Sequence, residues 1–576
     1  MKRFLLSLAT VSLCASALMA QWNSDPYVNN QITPAGQKLY SWDFKVNRDE
    51  MTFLHFNAPT GNNTNTYLQI IDRDGSNQIE GRGLEISTER TRSYTMVNKI
   101  LSVDTDGNAL LAVSDCRNAA SESNDLSYTV YKVSPTGEML WGVDGLDLEK
   151  GRANSFEACF NMVQRADGNY VFAWMKDNGD LHCIQIECIS KEGEFLWDES
   201  IILKDNTTSY SYPYLVDAGN SQVILVYAKG SNLDIMARKL DFDGSQVWEE
   251  DTRIYRGGFP NVPLHTILEV TPDPNGGVFV GWYDDRFFTN YESAYVSYVK
   301  SDGKLAFSAG IEGQPVGISD NIRKFGPKMT YDPTQNCLYA VWRETSSGQS
   351  WQGLKMQKIA MTGELLWDSE GLFLFPMQEE VAVGYYSVQP ATDGDITAFF
   401  MTMAGYNEVT GYAARINGDG DFVWPEETIM FTAPMSAKGS LTSSELIHNS
   451  HWLTMWSDER GLPGENESCG KIFAQRINTD GSLGISAAIR ESAVNSGFDL
   501  KAYAEEGNIL FATTTQGGQA SLNLYSVSGQ KATTVFKGTL NAGSQNISWD
   551  NTLAPGIYIA TLSTAEGTKS VRVIVK

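Results

Sequence analysis

A short glycine turn, followed four residues later by a bulky apolar side chain, recurs eight times along this 576-residue chain. The strong copies are SPTGEMLW (Ser134 to Trp141), KEGEFLW (Lys191 to Trp197), FDGSQVW (Phe242 to Trp248), SDGKLAF (Ser301 to Phe307), MTGELLW (Met361 to Trp367) and GDGDFVW (Gly418 to Trp424). Weaker copies, RDGSNQI (Arg73 to Ile79) and TDGSLGI (Thr479 to Ile485), flank them. Glycines 75, 137, 193, 244, 303, 363, 420 and 481 are separated by 62, 56, 51, 59, 60, 57 and 61 residues. A period of this size marks repeated supersecondary units that must stack on their neighbours to bury their apolar faces.

Each interval holds three further strand signals. Ser211 to Val216, Gln222 to Tyr227 and Asp234 to Asp241 precede the turn at Gly244, and the same order recurs at Gly277 to Trp282 with Ala294 to Lys300, and at Trp452 to Trp456 with Lys471 to Asn478. Apolar runs closing on Trp174, Trp282, Trp342 and Trp456 read as strands covered on both faces, and alternating runs as half-exposed ones. No stretch has the pattern of a long amphipathic helix. Four strands per unit, repeated, predict an all-β ring of sheets, a β-propeller, which protects most strand edges. Gln21-Trp22-Asn23-Ser24-Asp25 reads like the strand after a turn, as at Leu366 to Glu370. Counting units from there, each ending at a glycine, predicts eight blades, or seven if the weak first unit completes the last.

The PTGEMLW and MTGELLW turns resemble the tryptophan-docking motif of quinoprotein-like propellers. That resemblance implies an aromatic packed beneath the glycine turn of a neighbouring blade. It also raises an oxidoreductase reading, but the family's adjacent cysteine pair is missing and no cofactor ligand set can be identified.

Lys2 and Arg3, the apolar stretch Phe4 to Leu18 and the small residues of Ala17-Leu18-Met19-Ala20 read as a secretory signal peptide over 1–20. Leu13 before Cys14 is too large for a lipidation box. The repeat region covers 21–485, a polar linker 486–499, and a different pattern 500–576. Period-two runs such as Ala520 to Gly529, Leu553 to Leu562 and Ser570 to Lys576 predict a small β-sandwich of about seven strands. This segment resembles the C-terminal sorting domain of type IX secretion, on the strand and turn at Leu524 to Gln530, the LAPGIYIATL box at Leu553 to Leu562 and the basic SVRVIVK end. The resemblance implies type IX secretion machinery as partner, passage across the outer membrane of a Gram-negative cell, and surface attachment or release.

The chain carries 44 basic and 69 acidic residues, a net charge of -25, which disfavours nucleic acid and anionic membranes as partners. No mature segment reads as transmembrane. Cys116, Cys159, Cys183, Cys188, Cys337 and Cys469 could form disulfides or stay as buried thiols; Cys183 and Cys188 should face opposite sides of one strand.

Chemistry is sparse. His448 and His451 sit at a strand edge without a metalloprotease pattern, so no metal site is expected. Asp72 to Gly75, Asp241 to Gly244 and Asn417 to Asp421 have calcium-loop composition without the distal glutamate. Calcium is left open, turn formation is the simpler reading, and no other cofactor is expected. Trp282, Asp284, Asp285 and Arg286, with Trp456, Asp458 and Arg460, are the candidate binding residues, and Trp342-Arg343-Glu344 is a partial copy. Repetition favours a structural role, because a catalytic pair is needed once. The leading reading is a secreted propeller that binds a glycan or protein without catalysis. Its competitor is a hydrolase of polysaccharide or peptide using carboxylates in the central funnel, and a quinoprotein-like enzyme is third.

Overall fold

Eight four-stranded antiparallel sheets occupy residues 30–478. The computed structural model describes residues 22–34, 39–60, 63–87, 100–118, 126–151, 157–257, 268–286, 291–318, 321–460, 471–485, 499–502, 509–514, 516–526, 530–548, 553–565 and 567–575. The expected signal peptide, Cys14, Cys469 and nearly all of the linker lie outside them. Two compact units emerge, Met1–Gly484 and Ile485–Lys576.

Blades 1 to 7 span 40–87, 100–147, 157–203, 210–255, 269–315, 323–379 and 382–432, each a simple meander. Blade 8 takes three strands from 438–478 and its outermost from Asn30–Gln31, which pairs with Ala474 and Phe473. The first strands of successive blades pack on one another around the centre. The second strands, such as Ala109–Asp115, Val223–Lys229 and His451–Asp458, are buried almost throughout. Adjacent blades cover both their faces, so these runs are continuously apolar rather than alternating. The core is therefore a set of seams between blades: one joins Val226 and Ile235 to Trp282 and Tyr295 across blades 4 and 5.

In blades 1 to 7 the glycine turn lies inside a blade, between its third and fourth strands, and in blade 8 it follows the third strand. Gly75 donates its N–H to Asp72 O at 2.9 Å, and Asp72 N–H returns to Ser76 O at 2.9 Å. All eight turn glycines have φ between 83° and 94°, a left-handed conformation glycine adopts without steric cost. The Asp side chains serve the turns: Asp72 Oδ1 accepts the N–H groups of Asp74 and Ser76, and Asn417 Oδ1 those of Asp419 and Asp421.

The bulky residue after each turn docks on the turn of the next blade. Trp141 lies against Gly193, Trp197 against Gly244, Trp248 against Gly303, Phe307 against Gly363, Trp367 against Gly420 and Trp424 against Gly481. A Cβ at Gly303 would come within 2.9 Å of the Trp248 indole, so absence of a side chain is required as well as φ. The indole N–H groups of Trp141, Trp197, Trp248, Trp367 and Trp424 donate to carbonyls of Lys191, Phe242, Ser301, Gly418 and Thr479, each two residues before the glycine they cover.

Two expectations need correction. The repeat units read from sequence ended at each glycine, whereas blades 1 to 7 each end one strand later and blade 8 takes that strand from the start of the chain, so the sequence units are permuted by one strand. The seven-blade alternative supposed that the first unit completes the last blade. Residues 22–33 do so, yet blade 1 retains four strands of its own, Tyr40–Val46, Thr52–Thr60, Asn63–Ile71 and Leu84–Ser87, and the count is eight. Trp22 supplies the aromatic that the eighth turn lacks: it packs on Gly75 and donates to Arg73 O at 2.9 Å.

In the second unit a three-stranded sheet (Asp499–Ala502, Ile509–Thr514, Gly543–Ser548) accompanies a four-stranded one (Lys531–Leu540, Gly518–Ser526, Gly556–Thr564, Gly567–Val575). Together they enclose Leu510, Leu522, Leu524, Ala560 and Leu562. These are the seven strands expected. Cys159, Cys183, Cys188 and Cys337 are free thiols.

Trp22→Ala should lower unfolding free energy by about 3–5 kcal/mol, the cost of emptying a buried indole site, because Trp22 is only 4% exposed. Trp351→Ala, at a side chain 43% exposed, should cost under about 1 kcal/mol. Urea denaturation of the two variants checks the contrast.

Candidate functional site

The candidate residues resolve into two separate clusters, one in blade 5 and one in blade 8. In blade 5 the Trp282 indole donates to Asp284 Oδ2 at 2.9 Å, and Arg286 forks onto the same carboxylate at 2.8 and 2.6 Å. The guanidinium lies 3.7 Å from the Tyr295 ring centre and 4.9 Å from that of Tyr255. Asp284 is buried, and Asp285 beside it is partly exposed. Blade 8 repeats the arrangement: Trp456 donates to Asp458 at 3.0 Å, and Arg460 binds Asp458 at 2.9 and 2.6 Å while covering Phe473.

The arginine does one further thing in each blade. Arg286 Nη1 donates to Glu312 O at 2.6 Å, and Arg460 Nη1 to Tyr27 O and Val28 O at 3.2 and 3.3 Å. Glu312 and Val28 each stand two residues before the outermost strand of their blade. The sequence reading missed a third copy in blade 2, where Val113 replaces the tryptophan. There Arg117 holds Asp115 at 2.9 Å and donates to Asp144 O at 2.7 Å, again two residues before the outer strand. Blade 6 varies the theme: Trp342 donates to Glu344, and Lys355, 3.5 Å from Glu344, donates to Glu370 O ahead of the outer strand Leu372–Glu379. These clusters clamp outer strands.

The blade 8 clamp also holds the ring shut. Arg460 reaches Asn29 Oδ1 at 3.1 Å, Asn29 donates to Gln475 Oε1 at 2.7 Å, and Gln475 donates to Asn23 O at 2.6 Å. Ser436 and Lys438 lie behind Asp458, at 2.6 and 4.0 Å. Burial alone would raise the Asp458 carboxyl, but hydrogen bonds from Arg460 and Ser436 outweigh it and hold it below the usual 3.8. Burial lowers Lys438 to about 8, with Asp458 opposing.

The concave feature is the central channel. A cavity of about 380 Å³ is lined by the first strands of blades 1, 5, 6, 7 and 8, including Lys45, Glu269, Lys328, Ser387, Gln389 and Ser443. A cleft of about 650 Å³ opens where blades 1, 2, 7 and 8 meet, lined by Asn47, Arg48, Asp104, Glu445 and His448. Lys45, Gln389 and Ser443 line both, so the two form one passage. Its wall is laced across blades: Lys328 pairs with Glu269 at 2.8 Å, the hydroxyls of Ser387 and Ser443 meet at 2.7 Å, and Tyr386 donates to Gly326 O at 2.7 Å. No sequence signal marked these residues, because strand sequence alone does not say which strand is innermost.

At the cleft, His448 and His451 both approach Glu50, at 3.6 and 3.8 Å, although their spacing gave no reason to expect a shared neighbour. Ser450 Oγ lies 2.7 Å from His451 Nδ1. His451 is buried, and burial, with Arg476 and His448 nearby, depresses it to about 3, so its imidazole is neutral at physiological pH. A buried carboxyl pair, Glu149 and Glu157, sits outside the channel at the joint of blades 2 and 3, with Lys176 at 2.6 and 3.5 Å. Burial, and then Glu149, push Glu157 well above the ordinary carboxyl range. Among the described residues no group of three or more His, Cys, Asp and Glu is arranged to hold a metal ion.

No family model and no curated protein matches the chain. Among solved structures, the Dos1 propeller is similar at 11% identity and a TM-score of 0.40, covering 75% of this chain and 92% of that one. The polysaccharide lyase Uly1 is similar at 10% and 0.39, covering 70% and 93%. Prolyl oligopeptidase B from Galerina marginata is similar at 11% and 0.39, covering 73% and 55%. Likenesses of this size say nothing about activity.

Asp458→Ala should cost about 3–5 kcal/mol, since it strands the Arg460 and Lys438 charges in a buried site, and calorimetry or urea titration reads it. His451 takes up a proton in the unfolded chain below its ordinary 6.5 but in the folded protein only near 3. Stability should therefore be full above pH 6.5 and fall as the pH drops toward 3, with Glu50, His448 and Arg476 facing the ring. His451→Gln should flatten that slope in unfolding free energy measured against pH.

Proposed function

We propose that this chain is an exported β-propeller that binds an extracellular partner, a glycan or a protein, without turning it over. Its C-terminal sandwich is a sorting module read by type IX secretion machinery. The observation that carries the sorting reading is where the resemblance motifs fall. The LAPGIYIATL box runs into the strand Gly556–Thr564, which lies between Gly518–Ser526 and Gly567–Val575. The LYSVSGQ strand and the SVRVIVK end are thus its two hydrogen-bonded neighbours. Three motifs separated in sequence form one sheet over one core, which suits a module read as a surface.

Three carboxylates at the passage are already engaged, which supports binding over hydrolysis. Glu269 pairs with Lys328, Asp104 is held by Lys132 at 3.1 Å and by the Tyr170 hydroxyl at 2.8 Å, and Glu50 faces two imidazoles. A glycosidase needs two carboxyl groups facing one reacting bond, one of them protonated. Glu157, a carboxyl that burial and Glu149 push well above its ordinary range, is spent at a blade joint. No described helix is long and apolar enough to cross a membrane.

Deleting Leu500 to Lys576 should leave the propeller in the periplasm, read by fractionation of a type IX-competent host. Normal surface display or release of that truncation would overturn the sorting reading.

A further inference from the structure

The first strands of six blades carry a bulge near their starting ends. Register breaks fall at Tyr40/Trp42, Ala158/Asn161, Ser211/Tyr214, Phe325/Lys328, Val383/Tyr386 and Gly439/Thr442. Ser41, Cys159, Tyr212, Gly326 and Ser440 have φ between 46° and 55° at these breaks. A bulge adds an unpaired residue and re-aims side chains, and six at one level form a collar around the channel. The bulge itself repeats and belongs to the architecture. The side chains it displays do not repeat.

Blade 7 displays the distinctive one. Tyr385 is 48% exposed and makes no hydrogen bond with a described residue. Its ring lies over Gly439 of blade 8, where a Cβ would stand 3.3 Å away, and next along that strand is exposed Ser440. Glycine at 439 leaves room for an aromatic plate beside a hydroxyl. Lys45 is exposed on the channel wall, whose lining includes Tyr386 and Leu441, the residues that follow Tyr385 and Ser440, and it makes no hydrogen bond or ion pair with any described residue. The other charges nearby are accounted for: Lys328 neutralises Glu269, Lys132 neutralises Asp104, and Glu50 faces His448 and His451. Arg48 and Glu445 balance one another in sign at the outer cleft. In a chain of net charge -25, a cation in a narrow passage with no carboxylate paired to it among the described residues is placed to receive an anion.

We infer that the ligand is an acidic saccharide whose chain enters the channel, with a sugar ring on Tyr385 and an acidic group on Lys45, an inference that rests on the binding reading above. A cavity of about 380 Å³ admits one extended chain rather than a folded domain. Ser440, Ser387, Ser443 and Gln389 offer the hydroxyl and amide groups that sugar hydroxyls exchange for water.

The test is calorimetry on the secreted protein with oligosaccharides of galacturonate, mannuronate and glucuronate, each against its methyl ester, which has the same shape and no charge. Binding of at least one acid, at least tenfold tighter than its ester and weakening with salt, is expected. Lys45→Met should abolish the preference for the acid while leaving ester binding and thermal stability unchanged, and Lys45→Arg should restore it. Tyr385→Ala should weaken acid and ester alike. Equal binding of acid and ester, no binding of any uronate, or a Lys45→Met variant that keeps the preference would each overturn the inference. If a wider glycan and protein array then yields a neutral sugar or a protein as ligand, the binding reading stands without this one. If the array instead shows turnover, the binding reading fails as well.

Discussion

An indole resting on the bare backbone of its neighbour's turn is the contact on which the ring depends. It couples two demands that only glycine satisfies together: a φ near 85° and no Cβ beneath the ring face. Each docked tryptophan adds a hydrogen bond to the carbonyl two residues before the glycine, which fixes orientation as well as proximity. Two positions soften the rule. Ile79 stands against Gly137 and Phe307 against Gly363, where apolar contact remains but no indole N–H is offered. The ring tolerates these because the seams between blades bury side chains along the whole second strand of each sheet.

The fold was legible because the docking contact is written locally, as glycine and an aromatic four residues apart. A count of eight, with seven left open, four strands per unit and the sandwich all followed from such local periodicities. What stayed hidden was non-local. Which of four strands closes a unit depends on pairing across the sheet, so the units appeared shifted by one strand. Lys531–Leu540 was not singled out because, as an edge strand exposed along much of its length, it lacks a clear apolar alternation. Arg117 and Asp115 escaped notice because Val113 removed the tryptophan that flagged the other clamps, although their geometry is the same.

The tryptophan, aspartate and arginine clusters show why motif strength and functional promise diverge. They were the most conspicuous charged pattern in the chain, and each is spent on positioning an outer strand by its preceding carbonyl. The passage through the ring carries no repeated motif. Its residues come from the least distinctive positions of the first strands, brought together by closure alone. A repeat scaffold puts its invariant residues between blades and leaves variation to the surfaces that face the axis.

The strand donated to blade 8 by residues 30–31 gives the ring a direction in time. Asn29 and Gln475, 446 positions apart, must meet before the circle exists. Until then the chain is an open row of seven sheets whose two outer edges present unpaired backbone groups and an unfilled indole site on Gly75. Closing so distant a pair is slow and entropically costly, and an open row with bare edges invites pairing with other chains. The folding chain is therefore most vulnerable just before its eighth blade closes the ring. The Arg460 clamp, which holds both the incoming segment and the blade that receives it, converts that last encounter into a locked state.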